Sequence, residues 1–307
     1  MNKTTYKDLI DFEIVFDQFL VTLGLPIKNN DRIHESYKLV RKFESVRKDK
    51  KLLEQFTKQN EERILIHALH DLNLMYSIIP NLKDTSPDIL KIKFEKILDG
   101  TNAVEETTKN SLARNTLFEI LLFSHMKDAD LQVELCEPRP DILFTNSGIR
   151  YLIECKRIFV ETNTKFKQTL RDAAIQLDIE LQKNNGDFGL IALSIESIYA
   201  KGGKVLNAQN VKSAYDYLKT TNRNAIEKYQ SLWLNNNHYI KNKKIIAVLI
   251  YLVTPQRSYN SDIINSAYFI TISNTQEPVS SDFDQLRNDT INLALLDDMS
   301  NIDEFAS

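Results

Sequence analysis

The chain is poor in residues that cross-link or punctuate a backbone: it has two cysteines, seven glycines and seven prolines in 307 residues. Cys136 and Cys155 are too few for a disulfide framework and lack the companions of a zinc site. Both fall in predicted strands, where each is expected to be a reduced, buried thiol. No apolar run approaches the length that crosses a bilayer. The start, Met1 to Lys7 followed by acidic and aromatic residues, lacks the basic-then-apolar layout of a secretory signal. The expectation is a cytoplasmic protein with no membrane partner. Positive charge is not in excess either: 39 Lys and Arg stand against 42 Asp and Glu, a net charge of -3. That excludes a generally polycationic coat for nucleic acid. A local basic face can still hold a phosphate backbone, and bound divalent metal neutralises acidic charge, so the sum over the chain decides little.

What is present is a globular mixture, enough for one large domain or two smaller ones. From Tyr6 to about Met126 apolar residues recur at spacings of three and four, the period of helices. Ile10, Phe12, Val15, Phe16, Phe19 and Leu20 predict a first amphipathic helix ended by Gly24 and Pro26. A helical region from about Asp31 to Ile79, in one or two pieces, is stopped by Pro80. Within it Lys38, Arg41, Lys42, Arg47, Lys48, Lys50 and Lys51 face only Glu44 and Asp49, which reads either as a solvated helix face or as a phosphate-tracking surface. His67, His70 and Asp71 share a helix, but with no third ligand close in sequence they are expected at ordinary helix surface or core edge. Ser86-Pro87 opens a helix that Asp99-Gly100 closes. The next, about Thr108 to Met126, buries Leu112, Leu117, Ile120, Leu121 and Phe123.

Beyond Met126 the texture changes to strands: Leu131 to Cys136, Asp141 to Phe144, and Ile149 to Val160. The turn Thr145-Asn-Ser-Gly148 makes the second and third of these an antiparallel hairpin. A helix follows over about Lys165 to Lys183, with Phe166, Leu170, Ala173, Ala174, Leu177 and Leu181 on its inner stripe. Leu190 to Ile195 reads as a buried strand. Then come a flexible Lys201-Gly-Gly-Lys204 segment, a helix near Val211 to Leu234, and apolar runs at Ile245 to Val253 and Ala267 to Ile272 that suit further strands of the same sheet. An acidic tail from Asp282 is expected to be loose.

In the third strand Glu154 and Lys156 are two apart, so the pleat sends both to one face while Ile153 and Cys155 point to the other. Asp141 opens the preceding strand just after Pro140, and folding the hairpin returns Glu154 towards it. Two acids and a lysine then converge. Phosphodiester hydrolysis needs a nucleophilic water and a charge that offsets the transition state, and a divalent cation on carboxylate oxygens supplies both.

Pro140-Asp141, followed across a hairpin by Glu154-Cys155-Lys156, resembles the PD-(D/E)xK nuclease superfamily, the fold of many restriction and repair nucleases. The resemblance covers about Thr108 to Ile195 and not the first hundred residues. It implies an α/β fold: a restriction-endonuclease-like mixed sheet flanked by helices, preceded by an all-helical N-terminal region. Its domains would be residues 1–107, a nuclease-like domain at 108–281 and the tail at 282–307. It further implies that Asp141, Glu154 and the backbone carbonyl of Cys155 hold Mg²⁺ or Mn²⁺, and that Lys156 serves the attacking water. Glu119 is the candidate for a helix glutamate that completes the metal set, or else a partly exposed helix acid. Gln176 is the candidate for a glutamine on the following helix that touches metal or phosphate, and Arg171 for a phosphate contact. The implied activity is cleavage of DNA phosphodiesters, in restriction or antiviral defence. Expected partners are DNA and, since one site cuts one strand at a time, a second copy of the chain or another protein on the N-terminal helices. The alternatives are a nucleic-acid-binding module on the same fold without catalysis, and a helical interaction protein whose sheet is scaffold.

Overall fold

The computed structural model describes residues 5–59, 62–101, 106–107, 111–159, 162–183, 185–199, 206–208, 211–234, 240–258 and 264–274. The Lys201–Lys204 segment and the acidic tail lie outside them. The chain is α/β, with a helical N-terminal part and a mixed sheet, and divides into two compact units. The first comprises Met1–Leu117, Ala200–Ala214 and Thr254–Ala267; the second comprises Phe118–Tyr199, Tyr215–Val253 and Tyr268–Ser307.

The first unit is built from Tyr6–Asp11 (α1), Glu13–Thr22 (α2), Arg32–Val46 (α3), Lys50–Gln59 (α4), Glu62–Ile78 (α5), a 3-10 turn at Ile79–Leu82, Pro87–Leu98 (α6) and the start of Leu112–Asp128 (α7). The sequence periodicity suggested one helix before Gly24, but the chain breaks at Phe12, so α1 and α2 are separate. The long helical region is likewise three helices rather than one or two. Thr5 caps α1 in a capping box with Asp8, satisfying amide donors that an α-helix leaves open at its start. Gly24 takes φ +66° just after α2, a conformation that costs glycine little.

Two polar devices sit inside this helical unit. His34 lies between two carboxylates, its Nδ1 2.7 Å from Asp31 and its Nε2 2.8 Å from Asp17, with the ring itself buried. Asp31 is also the N-cap of α3, accepting from the amides of Ile33 and His34. Asp71, expected at the helix surface or core edge, is fully buried together with His67 and His70. It accepts from Arg32 at 2.7 Å and from Arg114 at 2.9 Å. Burial alone would raise its carboxyl, but the two guanidiniums and both imidazoles hold it down at about 2. The spacing of three on α5 thus serves an internal charge cluster, which requires α3 and α7 to bring in the arginines.

In the second unit Gln132–Leu135 (β1), Ile142–Asn146 (β2) and Ile149–Arg157 (β3) form an antiparallel meander. Asn163–Gln182 (α8) leads to Phe188–Ser194 (β4), which lies parallel to β3. Glu196–Tyr199 (α9), Leu206–Ala208 (β5) and Val211–Tyr229 (α10) precede Ile245–Ser258 (β6), parallel to β4, and Ile264–Asn274 (β7), which pairs with β6. The order β1-β2-β3-β4-β6 gives a five-strand mixed sheet in this unit; β5 pairs with the end of β6, from Gln256 to Ser258, and both of these segments belong to the first unit. The β2–β3 hairpin turns through Ser147 and Gly148, both at positive φ. Those dihedrals match the right-handed twist of the flanking strands, which explains the expected glycine at the turn's end.

All six residues of the α8 stripe, from Phe166 to Leu181, are buried as their spacing predicts. A Cβ on Gly189 would meet Leu177 and Leu181 at 3.3 and 3.4 Å. Gly189 pairs with Leu152, of the same parity as Glu154 and Lys156, so α8 covers the face that those two residues share. Helix α7 covers the opposite face: its Phe118 and His125 touch Tyr251, which lies level with Ser194 and Arg157. No helix among the described residues is long and apolar enough to cross a membrane.

Candidate functional site

The site begins with strand register. Ile142 pairs with Ile153, and one step further along the antiparallel ladder Asp141 comes opposite Glu154. Asp141 is fastened from both sides: its carbonyl accepts from the Cys136 amide at 3.0 Å, and its Oδ2 accepts from the Cys155 amide at 2.7 Å. Hence β1 and β3 together hold the aspartate where β2 starts. Glu154 and Lys156 leave β3 on one face as their spacing requires, and the lysine Nζ donates to Glu154 Oε1 at 2.5 Å.

Both acids are buried, while the Lys156 side chain is 25% exposed. Burial pushes the Glu154 carboxyl above its usual range, and the Asp141 charge pushes it the same way. The Lys156 ammonium and the Arg139 guanidinium oppose this rise. Two carboxylates are thus held side by side out of water with a lysine as partial counter-charge. This is an arrangement that holds a cation or a proton readily.

Cys155, between them in sequence, points to the other face. Burial, then the charges of Asp141, Glu119 and Glu154, drive its thiol well above the ordinary range. It is a free, buried thiol, as expected. Cys136 is half-buried instead, because it lies just past the end of β1.

The other sequence candidates separate by face. Gln176 rides on α8, over the face of Glu154 and Lys156, and its Oε1 is buried with no hydrogen-bond partner. Glu119 stands on α7, over the Cys155 face, half-buried, and its charge acts on the Cys155 thiol. Among the described residues no three His, Cys, Asp or Glu side chains are grouped as a metal cage. The carboxylates that converge are therefore Asp141 and Glu154. Arg171 is exposed on α8.

The basic stretch of the N-terminal helices is largely occupied with neighbours. Lys38 pairs with Glu35, Arg41 with Glu13 and Arg47 with Glu44, and Lys42 lies over the Phe56 ring. The solvated-face reading fits these pairs better than a phosphate track, since each uses a charge locally.

Two residues near the site were not singled out from the sequence. Arg139 is exposed in the loop between β1 and β2, and its only local signal is the flanking Pro138 and Pro140. Glu180, one turn beyond Gln176 on α8, is buried and accepts from Lys183 at 2.8 Å and Asn185 at 2.6 Å. The chain matches no protein-family model, no curated protein and no solved structure.

Proposed function

We propose that the second unit is a metal-dependent nuclease of the PD-(D/E)xK kind, with a restriction-endonuclease-like fold, hydrolysing DNA phosphodiesters. The observation that carries the reading is the buried pair Asp141 and Glu154, held opposite each other at the start of a hairpin with Lys156 beside them. The pair fits a hard divalent cation, Mg²⁺ or Mn²⁺. Its donors are carboxylate oxygens, and each acid's charge disfavours the other's unless something positive joins them. Asp141, Glu154 and the Cys155 carbonyl would hold such an ion. When bound, the cation lowers the pKa of a coordinated water and offsets charge on the phosphoryl group.

The chain's own groups have separate roles. The Cys155 amide fixes Asp141 by its Oδ2, which sets the orientation of that carboxylate. Lys156 keeps its ammonium against Glu154 while a quarter of its side chain meets solvent, so it is suited to donate to an attacked phosphoryl oxygen or to the entering water. Gln176 brings an unsatisfied carbonyl oxygen to the same face and orients water or substrate there. Restriction or defence against foreign DNA is the role most in keeping with a nuclease that carries a separate helical unit.

Purified protein is tested on supercoiled, linear and single-stranded DNA with Mg²⁺, Mn²⁺ or EDTA, beside Glu154→Ala and Lys156→Ala. Metal-dependent cutting is expected from the wild type, with a loss of at least a hundredfold in each variant. Cutting retained by folded Glu154→Ala would remove the site assignment.

A second reading, a binding module without catalysis, is favoured by one contact: Glu154 is already satisfied by Lys156. It predicts DNA affinity that survives Asp141→Ala and no cleavage in any metal.

A further inference from the structure

The loop joining β1 to β2 is Glu137-Pro138-Arg139-Pro140, and the Cys136 amide closes its base on the Asp141 carbonyl. Arg139 is thus carried two residues from Asp141 on a loop of four. Its own φ and ψ are restricted by the proline that follows, and both flanking residues have φ fixed by their rings. Little backbone freedom remains to be lost when the side chain engages a ligand. Its charge reaches Glu154 on β3 and Glu180 on α8, as the weakest of the influences on each carboxyl.

Three cations of this unit have partners among the described residues. Lys156 is bonded to Glu154, Lys183 to Glu180, and Arg157 to Ser197 at 2.9 Å with Glu196 at 3.5 Å. Arg139, by contrast, makes no hydrogen bond or ion pair among the described residues, and it is exposed. Asp141, Glu154 and Glu180 make the site acidic, which repels a phosphate backbone unless a cation at the rim receives it. A planar guanidinium with five donors matches two phosphate oxygens at once, which an ammonium cannot.

We infer that Arg139 is a substrate-contacting residue of this site, taking a backbone phosphate of the nucleic acid next to the carboxylate pair. The inference rests on the nuclease reading above and adds to it the residue that holds the substrate's charge.

The test compares wild type, Arg139→Ala, Arg139→Lys and, as a charge-matched control, Lys28→Ala, which is an exposed loop residue of the helical unit. Steady-state cleavage in Mg²⁺ gives kcat and KM. Fluorescence anisotropy of a labelled DNA duplex, with Ca²⁺ replacing Mg²⁺, gives Kd across a salt series. Arg139→Ala is expected to raise KM and Kd on the order of tenfold, with kcat changed less than about threefold. The slope of log Kd against log salt should fall by about 1, as for one lost phosphate contact. Arg139→Lys should restore that slope and part of the affinity, and Lys28→Ala should behave as wild type. If Arg139→Ala keeps the wild-type KM, Kd and salt slope, the inference is overturned. If it lowers kcat and melting temperature with those three unchanged, Arg139 is a counter-charge for Glu154 and Glu180, and the inference is again wrong. Wild type that cuts DNA while Arg139→Ala shows no binding change refutes this inference alone. Wild type that neither binds nor cuts refutes the nuclease reading along with it.

Discussion

Replacing Asp71 by Asn in the helical unit removes one negative charge from between two arginines without changing side-chain size. Arg32 and Arg114 both reach this carboxylate, at 2.7 and 2.9 Å, and all three side chains are 4% exposed or less. Two routes give the size of the effect. The Asp71 carboxyl is held at about 2 against an ordinary 3.8, and by linkage this displacement corresponds to roughly 2 kcal/mol of stability near neutral pH. Removing one partner of a buried ion pair costs about 3 to 5 kcal/mol, because the partner charges are left uncompensated. The second value exceeds the first since an amide also turns an NH2 group towards one of the guanidiniums. A loss between roughly 2 and 5 kcal/mol is expected, read as a shift in urea midpoint at unchanged slope. Acid should act in the same direction on the wild type. The folded carboxyl lies below its unfolded value, so its contribution is complete above about pH 4 and fades as pH falls through about 2. Asp71→Asn should lack that part of the acid dependence. A variant within about 0.5 kcal/mol of wild type, with the same acid limb, would refute the argument that this charge cluster stabilises the helical unit.

His34 gives the opposite pH dependence. Burial pushes its imidazole down, but hydrogen bonds and charge from Asp31 and Asp17 outweigh this and raise it from 6.5 to about 9. A folded value above the unfolded one means stability fully present below about pH 6.5 and lost as pH rises through about 9. With Asp17 about a third exposed the contribution is roughly 2 kcal/mol, and denaturation between pH 6 and 10 should show a limb that His34→Gln abolishes. For the thiols, a maleimide at pH 8 should modify Cys136 in the native protein and reach Cys155 only after unfolding, as followed by mass spectrometry. Equal labelling of both would contradict the buried position given to Cys155.

Much of this protein was legible as pattern. Helix α8 was readable because Phe166, Leu170, Ala173, Ala174, Leu177 and Leu181 repeat with its turn, and burial selects that stripe whatever it packs against. The hairpin was readable because Gly148 can take φ +80° at low cost and because Glu154 and Lys156 must share a face at a spacing of two. The order of strands is another matter. That β4 and β6 both run parallel to β3 depends on crossovers through α8 and α10, which local periodicity does not encode.

The limits of the pattern are clearest at individual polar residues. Asp71, His67 and His70 carry the same signature whether they face water or the core. The structure buries them because Arg32, 39 residues away, and Arg114, 43 residues away, arrive to compensate the charge. Arg139 has no periodic signature at all; its nearness to Glu154 and Glu180 arises only once β1, β3 and α8 are assembled. The sequence by itself determined helix α8 with its inward face, the β2–β3 hairpin and the convergence of Asp141 with Glu154 and Lys156, since all of these follow from spacing and a single turn. Tertiary structure decided which helix covers which face of the sheet and which charges are paired inside, because each depends on contacts between residues far apart in the chain.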